Sequence, residues 1–464
     1  MELSEGCFPK AMRFIASKME NFNRNRFRLQ TQGADSARPY SIVTLNLPEN
    51  ALLHMKSLRM YMDVATTSVG TGTDIVYGKL GNYGTSLISK VEVYCNGIML
   101  QNGAAEYNTI YRLLKIGRST QEVDSSLDRC VNNSYISNTD SVENQTLILH
   151  DWAGVLNETS AEYLPTELLG SIQIRLTFAD TSVLVPKQVG VDIGLPLTTA
   201  QASTNAAQIS YTISNIYFTI DSVVPDVCYN MLLREQLQSK GEMAINYKEY
   251  YTFSLDAQTG TAMTNRFSLS SGSIDRIYTT FRDSCYQQPG IIGTALQNAL
   301  GSAYVANRFY FRSYDSVSSG AGGTARYYNQ INNVQYPQYL KTSLECLADT
   351  FYVNNKIGAS TGVNGYLGNL ITSQQSFNKG LFFNPLILDC PTELGVGLKS
   401  GYNSKGVNTQ MTSVASGLAI PTSDQTGGGG APSNTNSGKA SCFVVLEVTQ
   451  SIIVGLGKQV AVAY

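Results

Sequence analysis

Few residues of this sequence could carry out catalysis. Its 464 residues include 2 His, at His54 and His150, and the second is followed by Asp151, so a His–Asp pair could orient a base. The segment Gly358-Ala359-Ser360-Thr361-Gly362 fits G-x-S-x-G, in which a nucleophilic Ser stands between a strand and a helix. That motif needs a His later in the chain, whereas both His precede Ser360, and its flanks have loop composition. We expect an accidental match, and hydrogen-bonded histidines at strand ends.

Candidate phosphate, nucleic-acid and metal sites are equally weak. Gly438-Lys439 is followed by Ala440, which breaks the phosphate-loop pattern. Arg308-Phe309-Tyr310-Phe311-Arg312 could stack single-stranded nucleic acid, but its alternation favours an ordinary strand. Two histidines so far apart disfavour a metal site of the cupin type, although carboxylate ligands stay open. The sequence therefore predicts no catalytic, cofactor-binding or metal-binding residue and no cofactor.

Composition favours a large folded protein. The chain is 43% apolar and 15% charged with a net charge of −2, which excludes a disordered chain and a strong field that would steer it to nucleic acid. No run reaches the roughly 18–20 apolar residues of a membrane helix, and no secretory signal is expected. The 8 cysteines are widely spaced, so we expect mostly buried free thiols in a reducing compartment.

The elements that would position such residues are mainly strands. Short runs alternate apolar and polar residues, as in half-buried strands. They are Leu58–Val64, Val91–Cys95, Ile172–Phe178, Ile216–Ile220, Val444–Val448 and Val460–Tyr464. Helical periodicity is confined to four stretches, 9–22, 106–116, 225–240 and 342–352. Long loops are expected at 68–84, 318–324, 358–369 and 422–440, where Gly, Ser and Asn dominate.

This pattern predicts an all-β chain made of two domains. We expect an N-terminal arm over residues 1–24, a first domain over 25–224, a connecting helix over 225–240 and a second domain over 241–464. The first 30 residues hold six Lys or Arg against three Glu, so the arm is locally basic. Its amphipathic stretch could bind either a membrane surface or a neighbouring subunit.

The sequence resembles a known family of viral proteins. Both the order of the elements and particular segments carry the resemblance. These segments are Arg26–Leu29, Tyr40–Pro48, Leu58–Val64, the Val-x-Val-x-x-Asn-Gly stretch Val91–Gly97, the Tyr-rich helix Tyr107–Leu114, the strand Ser214–Ile220 and the helix that follows it. In these features the chain is similar to the double jelly-roll major capsid proteins of tailless icosahedral DNA viruses, a group that includes polinton-like viruses and virophages.

The resemblance implies two consecutive eight-stranded antiparallel jelly rolls with a few short helices. It further implies a non-enzymatic major capsid protein of the virion, made in the host cytoplasm or nucleus. Its partners would be two further copies in a pseudo-hexagonal homotrimer, neighbouring capsomers, and penton and minor capsid proteins. An internal membrane could contact the arm, and no sequence-specific nucleic-acid binding is expected.

Two other classes of function stay open. The first is a tandem jelly-roll lectin or receptor-binding spike, although such proteins are more often secreted and disulfide-linked. The second is a β-sandwich hydrolase that uses a pair of carboxylates, since two Asp or Glu could meet in the fold. Asn132, Asn144 and Asn157 fit the N-glycosylation pattern, but for a protein that is not secreted we expect no sugar there.

Overall fold

The computed structural model describes most of the two halves of the chain. The described residues are 23–33, 35–80, 84–102, 106–118, 139–193, 197–224, 227–256, 258–283, 311–316, 323–353, 382–389, 399–406, 409–420, 439–455 and 457–464. The predicted helix 9–22, the segment Gly358–Gly362 with Ser360, the loop 358–369 and most of 422–440 lie outside this part of the chain.

Strands dominate the first half. They are β1 (Asn23–Gln30), β2 (Ile42–Asn46), β3 (Leu52–Thr66), β4 (Ser68–Val69), β5 (Val76–Lys79), β6 (Ile88–Cys95), β7 (Ile98–Asn102), β8 (Asn144–Leu149), β9 (Tyr163–Pro165), β10 (Ile172–Phe178), β11 (Val185–Gln188) and β12 (Tyr211–Val224). The helices in this half are α1 (Tyr107–Arg118), α2 (Thr166–Leu169) and α3 (Ala200–Ala206).

The second half follows α4 (Val227–Lys240) and has a similar content. Its strands are β13 (Glu242–Ser254), β14 (Ala262–Phe267), β15 (Ile274–Asp283), β16 (Arg326–Ile331), β17 (Val334–Lys341), β18 (Asn384–Ile387), β19 (Met411–Ser416), β20 (Ala440–Gly455) and β21 (Gln459–Ala463). Among the described residues of this half, helix α5 (Ser343–Val353) lies between β17 and β18. The predicted helices at 106–116, 225–240 and 342–352 are therefore confirmed to within two residues at each end.

The two halves repeat one strand order. In the first half, two sheets run β1-β12-β3-β8 and β2-β10-β6-β7. In the second, the sheets run β13-β20-β15-β18 and β14-β19-β16-β17. When the eight main strands of each half are numbered 1 to 8 along the chain, both halves read 1-8-3-6 and 2-7-4-5, and a helix follows strand 5 in each. This double-sheet Greek-key arrangement is a jelly roll.

The prediction of two consecutive antiparallel eight-stranded jelly rolls is thus confirmed. We call β1–β12 the first roll and β13–β21 the second roll. The domain limits at residues 24, 224 and 240 stay predictions. Strands outside the two sets of eight are β9, which extends the first sheet of the first roll, β21, which pairs with β20, and the small sheet β11-β5-β4.

Apolar alternation explains most of the strands. In β3, Leu58, Met60, Met62 and Val64 are at most 1% exposed, while the residues between them are only partly buried. β10 follows the same pattern, with Ile172 and Phe178 in the core. Burial of apolar area at this period drives strand formation and fixes which face turns inward.

Two expectations from the sequence are wrong in detail. The stretch 68–84 was expected to be a loop, but it contains β4 and β5, whose pairing with β11 is not visible in the local pattern. The expectation that alternating strands are buried on one face fails for β20, where Val445 and Glu447 are as buried as their neighbours. Other parts of the protein therefore cover both faces of β20.

Gly170 ends α2 with φ +81°, and its backbone lies against Asn96 so closely that a Cβ would overlap that side chain. Asn96 Nδ2 donates to the carbonyl oxygens of Leu169, at 2.8 Å, and of Lys458 in the second roll, at 3.0 Å. Gly170→Ala should therefore lower the free energy of unfolding by about 1–3 kcal/mol, measured by urea titration. Gly190→Ala is the control, because Gly190 also has a positive φ but nothing lies near its Cβ; equal losses at the two sites would contradict the steric argument.

Candidate functional site

Neither histidine forms a catalytic pair. His54 lies in β3, stacks on Tyr163 at 5.1 Å between ring centroids, and its Nε2 is 3.6 Å from Glu162. His150 directly follows β8, and its buried Nδ1 has no hydrogen-bond partner among the described residues. A catalytic base of the Ser-His-Asp type needs that nitrogen held by a carboxylate. Of the predicted basic-aromatic strand, Phe311 and Arg312 alone are described, and Phe311 lies in the core.

The carboxylates that the fold brings together are enclosed in the second roll. Lys248 Nζ of β13 lies 2.6 Å from Asp275 of β15 and 3.3 Å from Glu447 of β20. Asp275 also accepts hydrogen bonds from Ser273 and Thr449, both in the same buried region. Both carboxylates are at most 2% exposed, whereas a glycosidase pair must be open to its substrate and to water. We call Lys248, Asp275 and Glu447 the buried ion cluster.

The buried ion cluster lies on the outer face of its sheet. Thr279 contacts Ser413 of the opposite sheet across the interior of the second roll. Side chains alternate along a strand, so the preceding residue, Tyr278, points outward, where its hydroxyl donates to Glu447 at 2.8 Å. Burial alone would lower the pKa of Lys248, but Glu447 and Asp275 outweigh it and raise that pKa above its usual value. The ammonium is therefore charged at neutral pH.

The first roll covers the edge of this sheet. Residues 158–160 run antiparallel to β13, with Ser160 N donating to Asn246 O at 2.7 Å and Lys248 N donating to Glu158 O at 3.0 Å. The Tyr250 hydroxyl donates to Glu158 Oε2 at 2.7 Å. These bonds add a short strand to the free edge of β13, which blocks that edge from pairing with another chain. The contact between the rolls is thus partly an extension of a sheet.

Further contacts connect strand 5 and helix α1 of the first roll to the second roll. The Tyr247 hydroxyl lies 2.7 Å from both the Leu100 carbonyl oxygen of β7 and Gln450 Oε1 of β20. Arg282 of β15 forms an ion pair with Glu106, directly before α1. The first roll therefore contributes strand 5, the start of α1 and the segment after strand 6, whereas the second contributes the edge of strand 1 with Tyr247 and Tyr250, and Arg282 of strand 3.

The corresponding outer face of the first roll is open among the described residues. Asp221 of β12 binds Arg24 and Arg26 of β1 at 2.7 and 2.6 Å, while the arginine side chains are 69% and 56% exposed. Arg28 lies over the Tyr217 ring at 4.0 Å, and Tyr217 stacks on Tyr61 at 4.7 Å. A shallow groove of about 260 Å³ crosses this face beside Asp63, which accepts from Asn215 and Thr146. We call the outer side of β1, β12 and β3 the arginine face.

The ion pairs of the arginine face predict an acid-sensitive contribution to stability. Arg26 lowers the pKa of Asp221 from 3.8 to about 2, with a smaller effect of Arg24. A depressed carboxylate pKa contributes stability that is complete above pH 3.8 and is lost as the pH falls through about 2. The arginines face solvent, so Asp221→Asn should cost about 1 kcal/mol at neutral pH and less as the pH falls. Urea titrations across this range test the effect, and a pH-independent loss would contradict it.

Strand 5 and helix α5 of the second roll carry several exposed apolar side chains. Val334, Tyr339 and Leu340 of β17 and Leu344 of α5 are between 45% and 52% exposed. β17 is also the edge of its sheet, since the order is β14-β19-β16-β17. In the first roll the same strand is β7, where Ile98 is 38% exposed and Leu100 is 5% exposed. We call these four residues the apolar patch.

The described thiols match the expectation from the sequence. Cys95, Cys346 and Cys442 are buried and free. Burial raises the pKa of Cys95 to about 11 and those of Cys346 and Cys442 to about 12, so all three are protonated and unreactive at neutral pH. The other five cysteine side chains lie outside the described part of the chain.

Other kinds of site are scarce among the described residues. They contain no group of three or more His, Cys, Asp or Glu that could hold a metal ion. None of the helices described is both long and apolar enough to cross a bilayer. The features that stand out are therefore the contact between the rolls, which lies within the chain, and two exposed surfaces, the arginine face and the apolar patch. The exposed surfaces suit contact with other proteins.

Comparisons by sequence and by structure give different results. No protein-family model matches the chain, and no curated protein matches it. Solved structures do match over nearly the full length. The PBCV-1 virus capsid aligns with a TM-score of 0.56 at 11% identity, covering 96% of this chain and 98% of that one. The major capsid protein of Faustovirus aligns with a TM-score of 0.51 at 10% identity, covering 94% and 91%.

A third structure, from the Sputnik virophage, aligns with a TM-score of 0.53 at 10% identity and covers 96% of this chain and 88% of that one. The resemblance found in the sequence is thus confirmed at the level of fold, even though sequence identity is low. Both rolls and their order along the chain are included in the alignments. By its fold, the chain is a double jelly roll of the kind found in these viral major capsid proteins.

Proposed function

We propose that the protein is the major capsid protein of an icosahedral DNA virus. Three copies form a capsomer with six rolls, and capsomers tile a shell around the genome. The observation that supports this most strongly is the repetition of one strand order in two successive rolls, over the same length as known capsid subunits. Two equivalent rolls in one chain let a trimer present a nearly sixfold outline, which packs well in a shell.

A structural role also fits the chemistry of the chain. Asp275 and Glu447, which meet in the second roll, are enclosed by Lys248 and by hydroxyl groups, and His150 Nδ1 has no hydrogen-bond partner among the described residues. Residues 158–160 cover the free edge of β13 and block it from pairing with another chain. We therefore propose that the protein has no enzymatic activity.

The proposed role defines partners and location. The protein resides in the virion capsid, where it contacts neighbouring capsomers, penton proteins and minor capsid proteins. Residues 1–22 precede β1 and carry the amphipathic stretch at 9–22, which we propose contacts a membrane, a minor protein or the genome inside the shell.

Oligomeric state separates this proposal from the two alternatives. A trimer of 50.5 kDa subunits, measured by size-exclusion chromatography with light scattering, supports the capsid role. A monomer that binds glycans would instead support a lectin or spike. Hydrolysis of a glycan panel would support a carboxylate hydrolase, and either result would overturn the proposal.

Deleting residues 1–22 should leave trimers intact and impair shell assembly. The reason is that β1 begins at Asn23, so the deletion removes none of the described strands. Trimers are measured by light scattering, and shells by electron microscopy under conditions in which the full chain assembles. Shells of normal number and size from the deleted chain would exclude an assembly role for the arm.

A further inference from the structure

The buried ion cluster holds an amine directly against a carboxyl group. Lys248 Nζ is 2.6 Å from Oδ2 of Asp275 and 3.3 Å from Oε1 of Glu447. The carboxyl carbon of Asp275 is one C–O bond from Oδ2, which puts it within about 4 Å of the nitrogen. Groups that a fold holds this closely react far faster than the same groups free in solution. The cluster therefore contains the two reactants of an amide bond side by side.

A β-bulge in β15 brings Asp275 to this position. The pairing of β15 with β20 shifts register between Ile274 and Arg276 and skips Asp275. Strict alternation from Thr279, which points inward, would turn Asp275 inward as well. The extra residue instead places its carboxyl on the outer face, where Thr449 donates to Oδ2 at 2.5 Å. Bulges re-aim single side chains in this way, often beside reactive sites.

The surroundings of Asp275 polarise and cover its carboxyl group. Ser273 Oγ donates to Oδ1 at 2.6 Å and itself accepts from the backbone N of Gly401 at 2.9 Å. A Cβ on Gly401 would lie 2.5 Å from Oδ1, so the backbone at this glycine closes over the carboxyl. Separate ions are stabilised by water, which is largely excluded here, whereas an amide carries no charge. The site therefore favours the amide over the ion pair.

The arrangement sets Lys248 apart from the other described cations. Among the described residues, it is the lysine with two carboxylates within 4 Å, and the carboxylates are 1% and 2% exposed. The equivalent cation on strand 1 of the first roll is Arg26. A guanidinium keeps its proton and cannot attack a carboxyl carbon. Lysine gives up its proton more readily when it is buried and then acts as a nucleophile.

We propose that Lys248 and Asp275 join in an amide bond between their side chains, with Glu447 as the proton carrier. The ion pair described above is the state from which this bond forms. Glu447 takes one proton from the ammonium, and the freed lone pair of Nζ forms a bond to Cγ of Asp275. Hydrogen bonds from Ser273 stabilise the charge that develops on Oδ1.

The departing oxygen is Oδ2. It receives the proton held by Glu447 and a second proton from the nitrogen, and the C–O bond breaks with its electron pair, so that Oδ2 leaves as water. An ammonium and a carboxylate thus become a neutral amide and one water molecule, and Glu447 returns to its starting state. The step occurs once in each chain, so it is a modification and not turnover. It does not depend on the proposed function.

The bond would tie β13 to β15 across β20, which lies between them in the sheet. The three strands could then separate only together, because the link spans the central one. For a building block of a shell, such a link would hold one roll closed under load.

The intact mass of the folded full-length chain tests the bond without any substitution. We expect a mass that is lower than that of the sequence by one water molecule. After unfolding and digestion with trypsin, cleavage after Lys248 should be blocked, and residues 241–266 should be linked to residues 267–276. A chain of full mass, or a loss of water located in other peptides, would overturn the proposal.

Three variants identify the roles of the residues. Lys248→Arg keeps the positive charge but removes the nucleophile, so its chain should have the full mass of its sequence. Lys90→Arg is the matched control, because Lys90 pairs with Glu92 at an exposed site, and its chain should still lack one water molecule. Glu447→Gln should slow bond formation about 100-fold or more, measured as the linked fraction at equal times after synthesis. A linked Lys248→Arg chain, or a Glu447→Gln chain that links as fast as the wild type, would contradict the mechanism.

Thermal unfolding shows which variants fold. If Glu447→Gln fails to fold, Ser273→Ala repeats the kinetic test, because it removes the donor to Oδ1 and leaves all three charged groups in place. It should also slow the bond, and an unchanged rate would exclude the stabilising role of Ser273. The mass of the unsubstituted chain decides on the bond itself in either case.

Discussion

Lys248→Met is expected to lower the free energy of unfolding by about 3–5 kcal/mol. The substitution removes the ammonium that lies between Asp275 and Glu447 and leaves two carboxylates enclosed in the second roll. Uncompensated buried charge costs far more than the loss of an exposed ion pair. Urea or guanidinium unfolding of the purified chain measures the loss.

Lys90→Met provides the comparison for Lys248. Lys90 pairs with Glu92 in β6, but its side chain is 38% exposed, so its removal should cost at most about 1 kcal/mol. The loss at Lys248 should shrink at low pH, where the carboxylates take up protons. Similar losses for the two lysines would show that water reaches the buried ion cluster.

Tyr247→Ala is expected to cost about 3–5 kcal/mol and to loosen the contact between the rolls. Tyr247 is fully buried, and its hydroxyl lies within hydrogen-bond distance of Leu100 in the first roll. Truncation leaves a cavity at the point where β13 meets strand 5 of the first roll. Denaturant unfolding gives the loss, and hydrogen exchange shows whether the amides of β13 become less protected than those of β3.

The variant Tyr247→Phe separates packing from hydrogen bonding. It keeps the ring and removes the hydroxyl, so it should cost only about 1–3 kcal/mol. If Tyr247→Ala were no worse than Tyr247→Phe, the ring would contribute nothing to the contact between the rolls.

Local sequence patterns predict the strands and helices of this chain well. The six alternating runs lie in strands apart from Tyr464, which is one residue beyond β21, and the helix expected at 225–240 begins two residues later, at Val227. These elements are predictable because burial on one face leaves a period of two or of 3.6 residues in the sequence. The short helix α3 was missed, since it has no apolar stripe and depends on the cap that Thr199 provides to Ala202.

Features that depend on pairing between distant strands could not be predicted. Lys248, Asp275 and Glu447 are separated by up to 199 residues and meet because β13, β20 and β15 are neighbours in one sheet. The small sheet of β4, β5 and β11 is hidden for the same reason. Arg26 looks ordinary in the sequence, because its ion pair with Asp221 forms only when β1 lies beside β12.

The most direct test of the account is a cryo-electron microscopy reconstruction of the purified full-length chain. A particle with a threefold axis and six rolls around one ring is expected. Single copies, or a particle without a threefold axis, would contradict the proposed capsid role.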